Sequence, residues 1–293
     1  MSARRTTAAQ LHAPLNGVRA LLLDLDGVIV LKGEAVPGSV DAVNELERRS
    51  IPFRVVTNTS LVSRATLARY AKRIGNDLPA ERFQSALSAS AAFTARHHPN
   101  GPLYVLASDD ALTEFAGQTV VDHAAAARPG TPAAAVVVGD SADVLTPANL
   151  NSAFRLVRAG AELIGMHRNP WWLTPDGPTL DSGAYVTGLK YAAGVRARII
   201  GKPSRAFFSL AVEALRREVR QRGERPLGRA EIAMVGDDVR TDVLAAQRAG
   251  MRGVFVLTGK HTHNDARQAA AERGGRQPDA VAASLADVVA ALD

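Results

Sequence analysis

Four short segments of this chain each join an apolar, strand-like run to polar residues at its end. They are residues 23–28, 56–58, 201–203 and 235–238, with Asp242 just beyond the last of them. The carboxyl ends of parallel strands meet at one edge of a sheet, so residues that follow such strands can lie together although they are far apart in sequence. The pattern therefore predicts an α/β protein with a parallel sheet and an active site at one edge of it.

Strand-like runs alternate with helical segments of about 10–15 residues, which is typical of a parallel α/β sheet. Strands are predicted over 18–25 and 51–56, and helices over 63–74, 147–158, 182–193 (closed by Gly194), 204–222 and 241–249. The pattern starts again near residue 87, includes a loop rich in Pro and Trp over 169–178, and returns to the first unit at residue 197. We therefore predict a Rossmann-like parallel-sheet catalytic core over 17–87 and 197–293, an inserted α/β domain over 88–196, and a flexible tail over 1–16.

The composition argues against several classes of function. The 293 residues include no cysteine, which excludes disulfides, thiolate catalysis and cysteine-rich zinc sites. The net charge is +6, but the arginines are scattered among Glu and Ala and aromatic residues make up only 5%, so we expect no nucleic-acid partner. No apolar run approaches the roughly 18–20 residues of a membrane span, and the first sixteen residues lack an apolar h-region. We therefore expect no membrane partner and a cytoplasmic location, while a targeting role of the basic tail stays open.

Asp24 and Asp26 are separated by one residue at the end of the first strand. A carboxylate such as Asp24 can attack phosphorus and form an aspartyl-phosphate, which divides one difficult displacement into two easier ones. Attack on an anionic phosphate requires a cation, and Mg²⁺ binds through carboxylates and phosphate oxygens; Asp24 and Asp237 can supply the carboxylates if their strand ends converge. Asp26 can protonate the leaving oxygen and then deprotonate the attacking water.

The other segments supply groups that can hold an anionic phosphate. Thr57 offers a hydroxyl at the end of the second strand, and Asn58 follows it. The ammonium of Lys202 would offset negative charge just before a helix that opens at Pro203. Gly27 lets the backbone turn closely around the phosphate. Each segment alone is common in turns and helix caps, so their occurrence together and in order is what predicts a phosphoryl-transfer site.

The four segments resemble the motifs of the haloacid-dehalogenase-like (HAD) phosphatases, and within them the class IIA, NagD-type group with a large α/β cap. The motifs are Asp24-Leu25-Asp26-Gly27-Val28-Ile29, Val55-Val56-Thr57-Asn58-Thr59-Ser60, Ile200-Gly201-Lys202-Pro203-Ser204 and Met234-Val235-Gly236-Asp237-Asp238-Val239-Arg240-Thr241-Asp242. The resemblance extends from about residue 18 to the C-terminus, and it implies that residues 88–196 form the cap.

The resemblance implies a role for each matching residue. Asp24 is the implied nucleophile, Asp26 the general acid and base, and Lys202 the third catalytic residue. The implied ligands of Mg²⁺ are Asp24, Asp237 and the backbone carbonyl of Asp26. The implied substrate- and phosphate-binding residues are Asp24, Leu25, Asp26, Gly27, Thr57, Asn58 and Lys202. Asp238 and Asp242 are expected to support the site, one of them by orienting magnesium-bound water or by pairing with Lys202.

The resemblance also limits the type of reaction that the protein is expected to catalyse. In this superfamily a carboxylate in the place of Asp26 is typical of phosphatases and phosphomutases, and a large cap favours the phosphatases. Residues 180–192, running into 200–203, resemble the phospholysine phosphohistidine inorganic pyrophosphate phosphatases and related HAD-like hydrolase domain proteins. We therefore predict a Mg²⁺-dependent phosphohydrolase that cleaves small phosphate monoesters or pyrophosphate through an aspartyl-phosphate. Its predicted partners are a small phosphorylated substrate and a second copy of the chain, paired through the cap.

Two other functions stay open on the sequence. One is a phosphoryl-transfer enzyme that returns phosphate to a sugar, and the other is a non-catalytic sensor of a phosphorylated ligand on the same scaffold. The roles of His167, Trp171 and Trp172 stay open as well, since one of the two adjacent Trp residues can line a substrate entrance. His261 is predicted to lie in a polar loop after the last core strand, and His97 at a helix end.

Overall fold

The computed structural model of the protein describes residues 14–140, 143–174, 177–272 and 276–292. Residues 1–13 of the predicted flexible tail therefore lie outside the described residues. Among the described residues, no helix combines the length and apolar character needed to cross a membrane.

Strands and helices alternate along most of the chain. The strands are β1 (Ala20–Asp24), β2 (Val30–Leu31), β3 (Glu34–Ala35), β4 (Phe53–Thr57), β5 (Phe83–Ser85), β6 (Leu103–Leu106), β7 (Val120–Val121), β8 (Ala135–Val138), β9 (Glu162–Gly165), β10 (Trp171–Thr174), β11 (Gly177–Leu180), β12 (Ala197–Ile199), β13 (Ile232–Gly236), β14 (Arg252–Val256) and β15 (Ala280–Ala282). The α-helices are α1 (Ser39–Arg48), α2 (Arg64–Arg73), α3 (Ala86–His97), α4 (Asp109–Leu112), α5 (His123–Ala126), α6 (Pro147–Arg158), α7 (Ser182–Ala193), α8 (Arg205–Gln221), α9 (Leu244–Arg248), α10 (His263–Glu272) and α11 (Leu285–Ala290). A π-helix spans Val239–Val243.

The chain divides into two compact units. The first comprises Met1–Thr57, Ala68–Gln84 and Lys202–Asp293, and the second comprises Asn58–Leu67 and Ser85–Gly201. The predicted inserted domain, 88–196, falls within the second unit. Each unit is built on its own parallel sheet, and the predicted α/β fold class is confirmed.

The sheet of the first unit has the strand order β15-β14-β13-β1-β4-β5. Strand β1 lies between β13 and β4 and runs parallel to both. All five of its residues are buried, as expected for a central parallel strand that is covered on both faces. Its last residue is Asp24, so burial of the leucines in β1 fixes that carboxylate at the carboxyl edge of the sheet.

Helix α8 packs on this sheet through an apolar stripe that includes Phe207, Ala211 and Leu215. The helix was predicted over 204–222 and is observed over Arg205–Gln221. Ser204 is its N-cap, because the Ser204 hydroxyl accepts a hydrogen bond from the Phe207 N–H at 3.2 Å. Residue 202 therefore lies just before the first turn of a long, well-anchored helix.

The sheet of the second unit has the order β12-β9-β8-β6-β7, and each neighbouring pair is parallel. Strand β8 is buried along its whole length. Helix α7 ends as predicted at Gly194, whose φ of 69° is the left-handed conformation that glycine adopts readily. Helix α3 ends at His97, where a helix end was predicted. Its start was not predicted, because its Ala- and Ser-rich sequence carries a weak apolar stripe; a capping box between Ser85 and Ser88 marks that start.

The segment predicted as a loop over 169–178 instead contains an antiparallel hairpin of β10 and β11, so that prediction was wrong for this part. Trp171 pairs with Leu180 and Thr174 pairs with Gly177. Pro178 is compatible with a two-stranded ribbon, in which an edge position needs no N–H donor. Trp171 and Leu180 are both exposed, at 57% and 59%.

A nearly buried ion-pair cluster links β4 to α8 in the first unit. Glu218 accepts hydrogen bonds from Arg54 and, at 2.9 Å, from Arg82. We expect Glu218→Gln to lower the free energy of unfolding by about 3 kcal/mol, because three guanidinium groups, those of Arg54, Arg82 and Arg222, then lose their shared counter-charge. Urea unfolding measures this. Glu45→Gln, which breaks the exposed surface pair with Arg48, is the control and is expected to leave the free energy of unfolding nearly unchanged. Equal effects of the two substitutions would contradict the prediction.

Candidate active site

Asp24 ends β1 and is buried, with 7% of its surface exposed. Its Oδ1 accepts a hydrogen bond from the Leu25 N–H at 2.8 Å and another from the Lys202 ammonium at 2.7 Å. Leu25 itself is buried. The carboxylate is therefore fixed in orientation by one backbone donor and one cation.

Lys202 connects three parts of the first unit. Its Nζ lies 2.7 Å from Asp24 Oδ1, 2.8 Å from Asp242 Oδ1 and 3.3 Å from the Val56 carbonyl oxygen. Burial by itself would lower the pKa of Lys202, but the two carboxylates outweigh that effect and raise the pKa above its ordinary value. Lys202 is therefore a permanent cation at the carboxyl edge of the sheet.

Three buried carboxylates surround this lysine. Asp24, Asp237 and Asp242 each offer an oxygen within 4.8 Å of the others. Burial is the main cause that raises the pKa of all three; for Asp242, where the proximity of Asp24 adds to it, the pKa reaches about 8. One ammonium does not balance three carboxylates, so the donor set and its charge suit a bound divalent cation.

Asp237 follows β13 and is held by the loop after β14. Its Oδ2 accepts a hydrogen bond from the Lys260 N–H at 2.8 Å. Two glycines pack against the same carboxylate. A Cβ at position 27 would lie 2.5 Å from Asp237 Oδ2, and one at position 259 would lie 2.0 Å from that oxygen. Only glycine fits at these two positions without displacing Asp237, and Gly27 also has a φ of +79°.

The loop after β14, which we call the clamp loop (residues 258–261), was missed as part of the site by sequence reasoning. The Thr258 hydroxyl donates a hydrogen bond to the Gly27 carbonyl oxygen, and the Lys260 ammonium lies 2.8 Å from Asp238 Oδ2. His261, predicted to lie in a polar loop, accepts a hydrogen bond from the Val239 N–H at 3.2 Å. The sequence did contain a signal for this loop. The loop follows a strand of the same sheet, and the ends of other strands of that sheet were used to predict the site.

The π-helix Val239–Val243 explains how Asp238 and Asp242 point to different partners. Asp238 caps this helix, accepting hydrogen bonds from the N–H groups of Arg240 at 2.8 Å and Thr241 at 2.9 Å. Asp242, one turn later, lies against Gly236 and pairs with Lys202. Asp238 pairs instead with Lys260, so of the two candidates for the lysine partner it is Asp242 that fills this role.

Asp26 lies beyond the end of β1 with an exposed side chain, where its backbone bridges to Val30. Desolvation by the surrounding protein raises the pKa of Asp26. The Lys202 ammonium opposes this shift, the Asp237 carboxylate adds to it, and solvent access limits it. Thr57 is buried at the end of β4, beside β1. Asn58 is the first residue of the second unit, where its side chain lies against Gly201.

The structure thus brings together Asp24, Lys202, Asp237 and Asp242, with Gly27 packed on Asp237 and Lys202 bonded to the strand that ends at Thr57. Asp26 and Asp238 do not belong to the group of carboxylates whose oxygens lie within 4.8 Å of one another. The site is a buried acidic centre with one internal cation, and the side chain of Asp26, two residues after Asp24, is exposed.

The clamp loop gives a sharp test of how Asp237 is held. We expect Gly259→Ala to lower turnover by about 100-fold and to raise the divalent-cation concentration needed for half-maximal activity, because the added methyl displaces the Asp237 carboxylate. Gly188→Ala is the control, since nothing lies within 4 Å of a Cβ there. Metal titration of the steady-state rate measures the effect, and an unchanged metal dependence in Gly259→Ala would contradict the expectation.

Comparison with known proteins places this site in a family. Two family models match the chain: a haloacid dehalogenase-like hydrolase model over residues 21–120 and a HAD-hydrolase-like model over residues 199–288. Haloacid dehalogenase-like hydrolase domain-containing protein 2 of Bos taurus is 35% identical over 86% of this chain and 89% of its own length. Phospholysine phosphohistidine inorganic pyrophosphate phosphatase of Homo sapiens is 34% identical over 86% of this chain and 87% of its own length.

Solved structures agree with this assignment. The p-nitrophenyl phosphatase from Archaeoglobus fulgidus superposes with a TM-score of 0.80 at 28% identity, covering 94% of this chain and 99% of its own. NagD from E. coli K-12 superposes with a TM-score of 0.77 at 24% identity, covering 92% of this chain and 97% of its own, and shows the same fold.

The fold, the acidic centre and these relatives together define an enzyme of the phosphatase class. The chain belongs to the haloacid dehalogenase-like hydrolase family. The predicted resemblance to its NagD-type group is confirmed, as is the resemblance to the two kinds of relative that the sequence singled out.

Proposed function

We propose that this enzyme is a Mg²⁺-dependent phosphohydrolase that cleaves small phosphate monoesters or pyrophosphate through an aspartyl-phosphate on Asp24. The observation that carries the proposal is the joint burial of three carboxylates around Lys202 at the carboxyl edge of a parallel sheet. Such a centre attracts a cation and an anionic phosphoryl group together, and few other reactions need both.

The contacts of Asp24 support its role as the nucleophile. Both of its described hydrogen bonds go to Oδ1, so Oδ2 is the oxygen left to attack phosphorus. In the first step the bond from Oδ2 to phosphorus forms, the ester bond breaks, and the leaving oxygen takes a proton from Asp26. In the second step water attacks phosphorus, gives its proton to Asp26, and the Asp24–phosphorus bond breaks. A raised pKa favours the protonated Asp26 that the first step needs.

The residues that would hold Mg²⁺ are Asp24, Asp237 and the backbone carbonyl of Asp26. When bound, the ion neutralises charge between the attacking carboxylate and the phosphoryl oxygens. Lys202 holds Asp24 in place and offsets its charge and that of the phosphoryl group. Thr57 and Asn58 are proposed to bind phosphoryl oxygens, with Leu25 and Gly27 offering backbone groups.

The test is phosphate release from a panel of small phosphate esters and pyrophosphate, in Mg²⁺ and in EDTA, with the Asp24→Asn variant beside the wild type. We expect release that requires Mg²⁺ and is lost in the variant. A folded wild-type enzyme that releases no phosphate from any compound would contradict the proposal. Phosphate found on a sugar acceptor would then indicate the phosphoryl-transfer enzyme, and Mg²⁺-dependent binding without turnover would indicate the sensor.

The remaining predictions are part of the same proposal. The second unit is proposed to act as the cap that selects the substrate, and two copies of the chain are proposed to pair through it. The partners are a small phosphorylated molecule and this second copy, without nucleic acid or membrane, and the location is cytoplasmic. Size-exclusion chromatography with light scattering tests the pairing.

A further inference from the structure

Asp26, the proton donor of the proposed reaction, has no side-chain partner that orients it. Its side chain is exposed, and among the described residues its carboxylate accepts no hydrogen bond. Asp24, by contrast, is oriented by hydrogen bonds from Leu25 and Lys202. The direction in which Asp26 points is therefore limited to the rotamers that its backbone allows, so the contacts that fix this backbone also aim the carboxyl group.

The backbone of Asp26 belongs to a tight turn over residues 25–30, which we call the acid turn. Inside it, the Gly27 N–H donates a hydrogen bond to the Val30 carbonyl oxygen at 2.6 Å. This bond fixes the shape of the turn, but not its place relative to the neighbouring strands. The far end of the turn is held by helix α1, because the Ser39 hydroxyl donates a hydrogen bond to the Ile29 carbonyl oxygen at 2.8 Å.

The near end of the acid turn is held by the clamp loop. Thr258 lies two residues after β14 and is partly buried, and its hydroxyl donates a hydrogen bond to the Gly27 carbonyl oxygen. The contact is made to the residue that directly follows Asp26. Because a hydrogen bond to a carbonyl oxygen is directional, it fixes the orientation of the peptide that carries that oxygen.

The clamp loop holds the proposed metal ligand Asp237 as well. The Lys260 N–H donates a hydrogen bond to Asp237 Oδ2 at 2.8 Å, and a Cβ at position 27 would lie 2.5 Å from the same oxygen. The acid turn thus packs against the carboxylate that the loop binds. One loop therefore fixes the acid turn and Asp237 relative to each other, and a shift of about 1 Å in such an arrangement can lower a rate about 100-fold.

We propose that Thr258 is a positioning residue, which aims Asp26 at the leaving oxygen by holding the Gly27 carbonyl group. Thr258 takes no part in the proton transfer itself. In the first step the proton still passes from the Asp26 carboxyl group to the leaving oxygen, as the bond from that oxygen to phosphorus breaks. The inference rests on the proposed function, and it predicts that loss of the Thr258 hydroxyl harms a substrate in proportion to its need for that proton.

The first test compares ethyl phosphate, whose strongly basic leaving oxygen needs a proton, with 4-nitrophenyl phosphate, whose leaving group is stable as an anion. Thr258→Val is expected to lower kcat/KM about 30-fold for ethyl phosphate and less than about 3-fold for 4-nitrophenyl phosphate. The ratio kcat/KM is measured because it covers the steps up to the aspartyl-phosphate, in which Asp26 gives its proton. Thr258→Ser keeps the hydroxyl and is expected to restore both values.

Two further variants separate this role from the support of the metal ligand. Gly259→Ala displaces Asp237 and is expected to lower kcat/KM equally for both phosphates. Thr113→Val removes an exposed hydroxyl that donates to the Asp110 carbonyl oxygen at 2.6 Å in the second unit, and it is expected to alter neither value. If Thr258→Val lowers kcat/KM equally for both phosphates, the clamp loop acts through Asp237 alone and the inference is wrong.

The second test does not depend on turnover. Amide hydrogen exchange in the acid turn is expected to become about 10-fold faster in Thr258→Val, and to stay unchanged in Thr258→Ser and Thr113→Val. Unchanged exchange in Thr258→Val overturns the inference even if the wild type is an active phosphatase. Faster exchange in a protein that releases no phosphate from any ester supports the hold of Thr258 on the acid turn, and contradicts the proposed function instead.

Discussion

Asp24→Asn is expected to lower phosphate release by at least about 10⁴-fold while leaving the fold intact. The amide oxygen can still accept the hydrogen bonds that Leu25 and Lys202 now donate to Oδ1, so the local geometry is retained. An amide cannot supply the anionic oxygen that attacks phosphorus, so both chemical steps are lost. Single-turnover phosphate release measures the rate, and chemical denaturation measures the stability.

The direction of the change in the free energy of unfolding of this variant can also be predicted. Because burial raises the pKa of Asp24, the ionised carboxylate is disfavoured there. We therefore expect Asp24→Asn to be at least as stable as the wild type in the absence of metal. Asp77→Asn, which changes an exposed carboxylate paired with Lys72, is the control and is expected to retain full activity. A wild-type rate in Asp24→Asn would overturn the proposed mechanism.

Lys202→Met is expected to have the second largest effect, on both activity and stability. Removing the ammonium leaves Asp24 and Asp242 buried without their counter-ion, and such losses lower the free energy of unfolding by about 3–5 kcal/mol. Turnover is expected to fall below detection, since Asp24 is no longer oriented. The control is Lys72→Met, which breaks an exposed pair and is expected to change stability by less than about 1 kcal/mol.

A double-mutant cycle separates the loss of charge pairing from the loss of packing. Adding Asp242→Asn to Lys202→Met removes one of the two buried carboxyl groups that have lost their partner, so the double variant is expected to be more stable than Lys202→Met alone. The expected coupling is about 1–3 kcal/mol, measured by urea unfolding without divalent cations. Strictly additive effects would show that Asp242 and Lys202 act independently, in conflict with their 2.8 Å contact.

The sequence was most informative where a buried apolar run ends in a residue with a chemical role. The apolar run of β1 predicted a strand, and its terminal Asp24 is held there by burial of Leu21, Leu22 and Leu23. The helix bounds at α6 and α7 were predicted correctly, since Pro147 opens one helix and Gly194 closes the other. These signals come from residues that are neighbours in the sequence, so they do not depend on contacts made elsewhere in the fold.

The clamp loop was not predicted, because its importance comes from contacts between residues distant in sequence. Nothing local in Thr258-Gly259-Lys260 indicates that the Lys260 N–H holds Asp237, 23 residues earlier. The π-helix at Val239–Val243 was predicted as ordinary α-helix from residue 241 onward, since its composition does not differ from that of a helix.

The position of β1 in its sheet has a consequence for synthesis of the protein. Strand β1 pairs with β13, which follows it by about 210 residues in the chain. At roughly 5–20 residues per second, a ribosome needs about 10–40 seconds to make β13 after β1 has been made. During that interval one edge of an apolar strand has no native neighbour in the nascent chain. The period before β13 emerges is therefore when a newly made chain is most exposed to aggregation and most dependent on a chaperone.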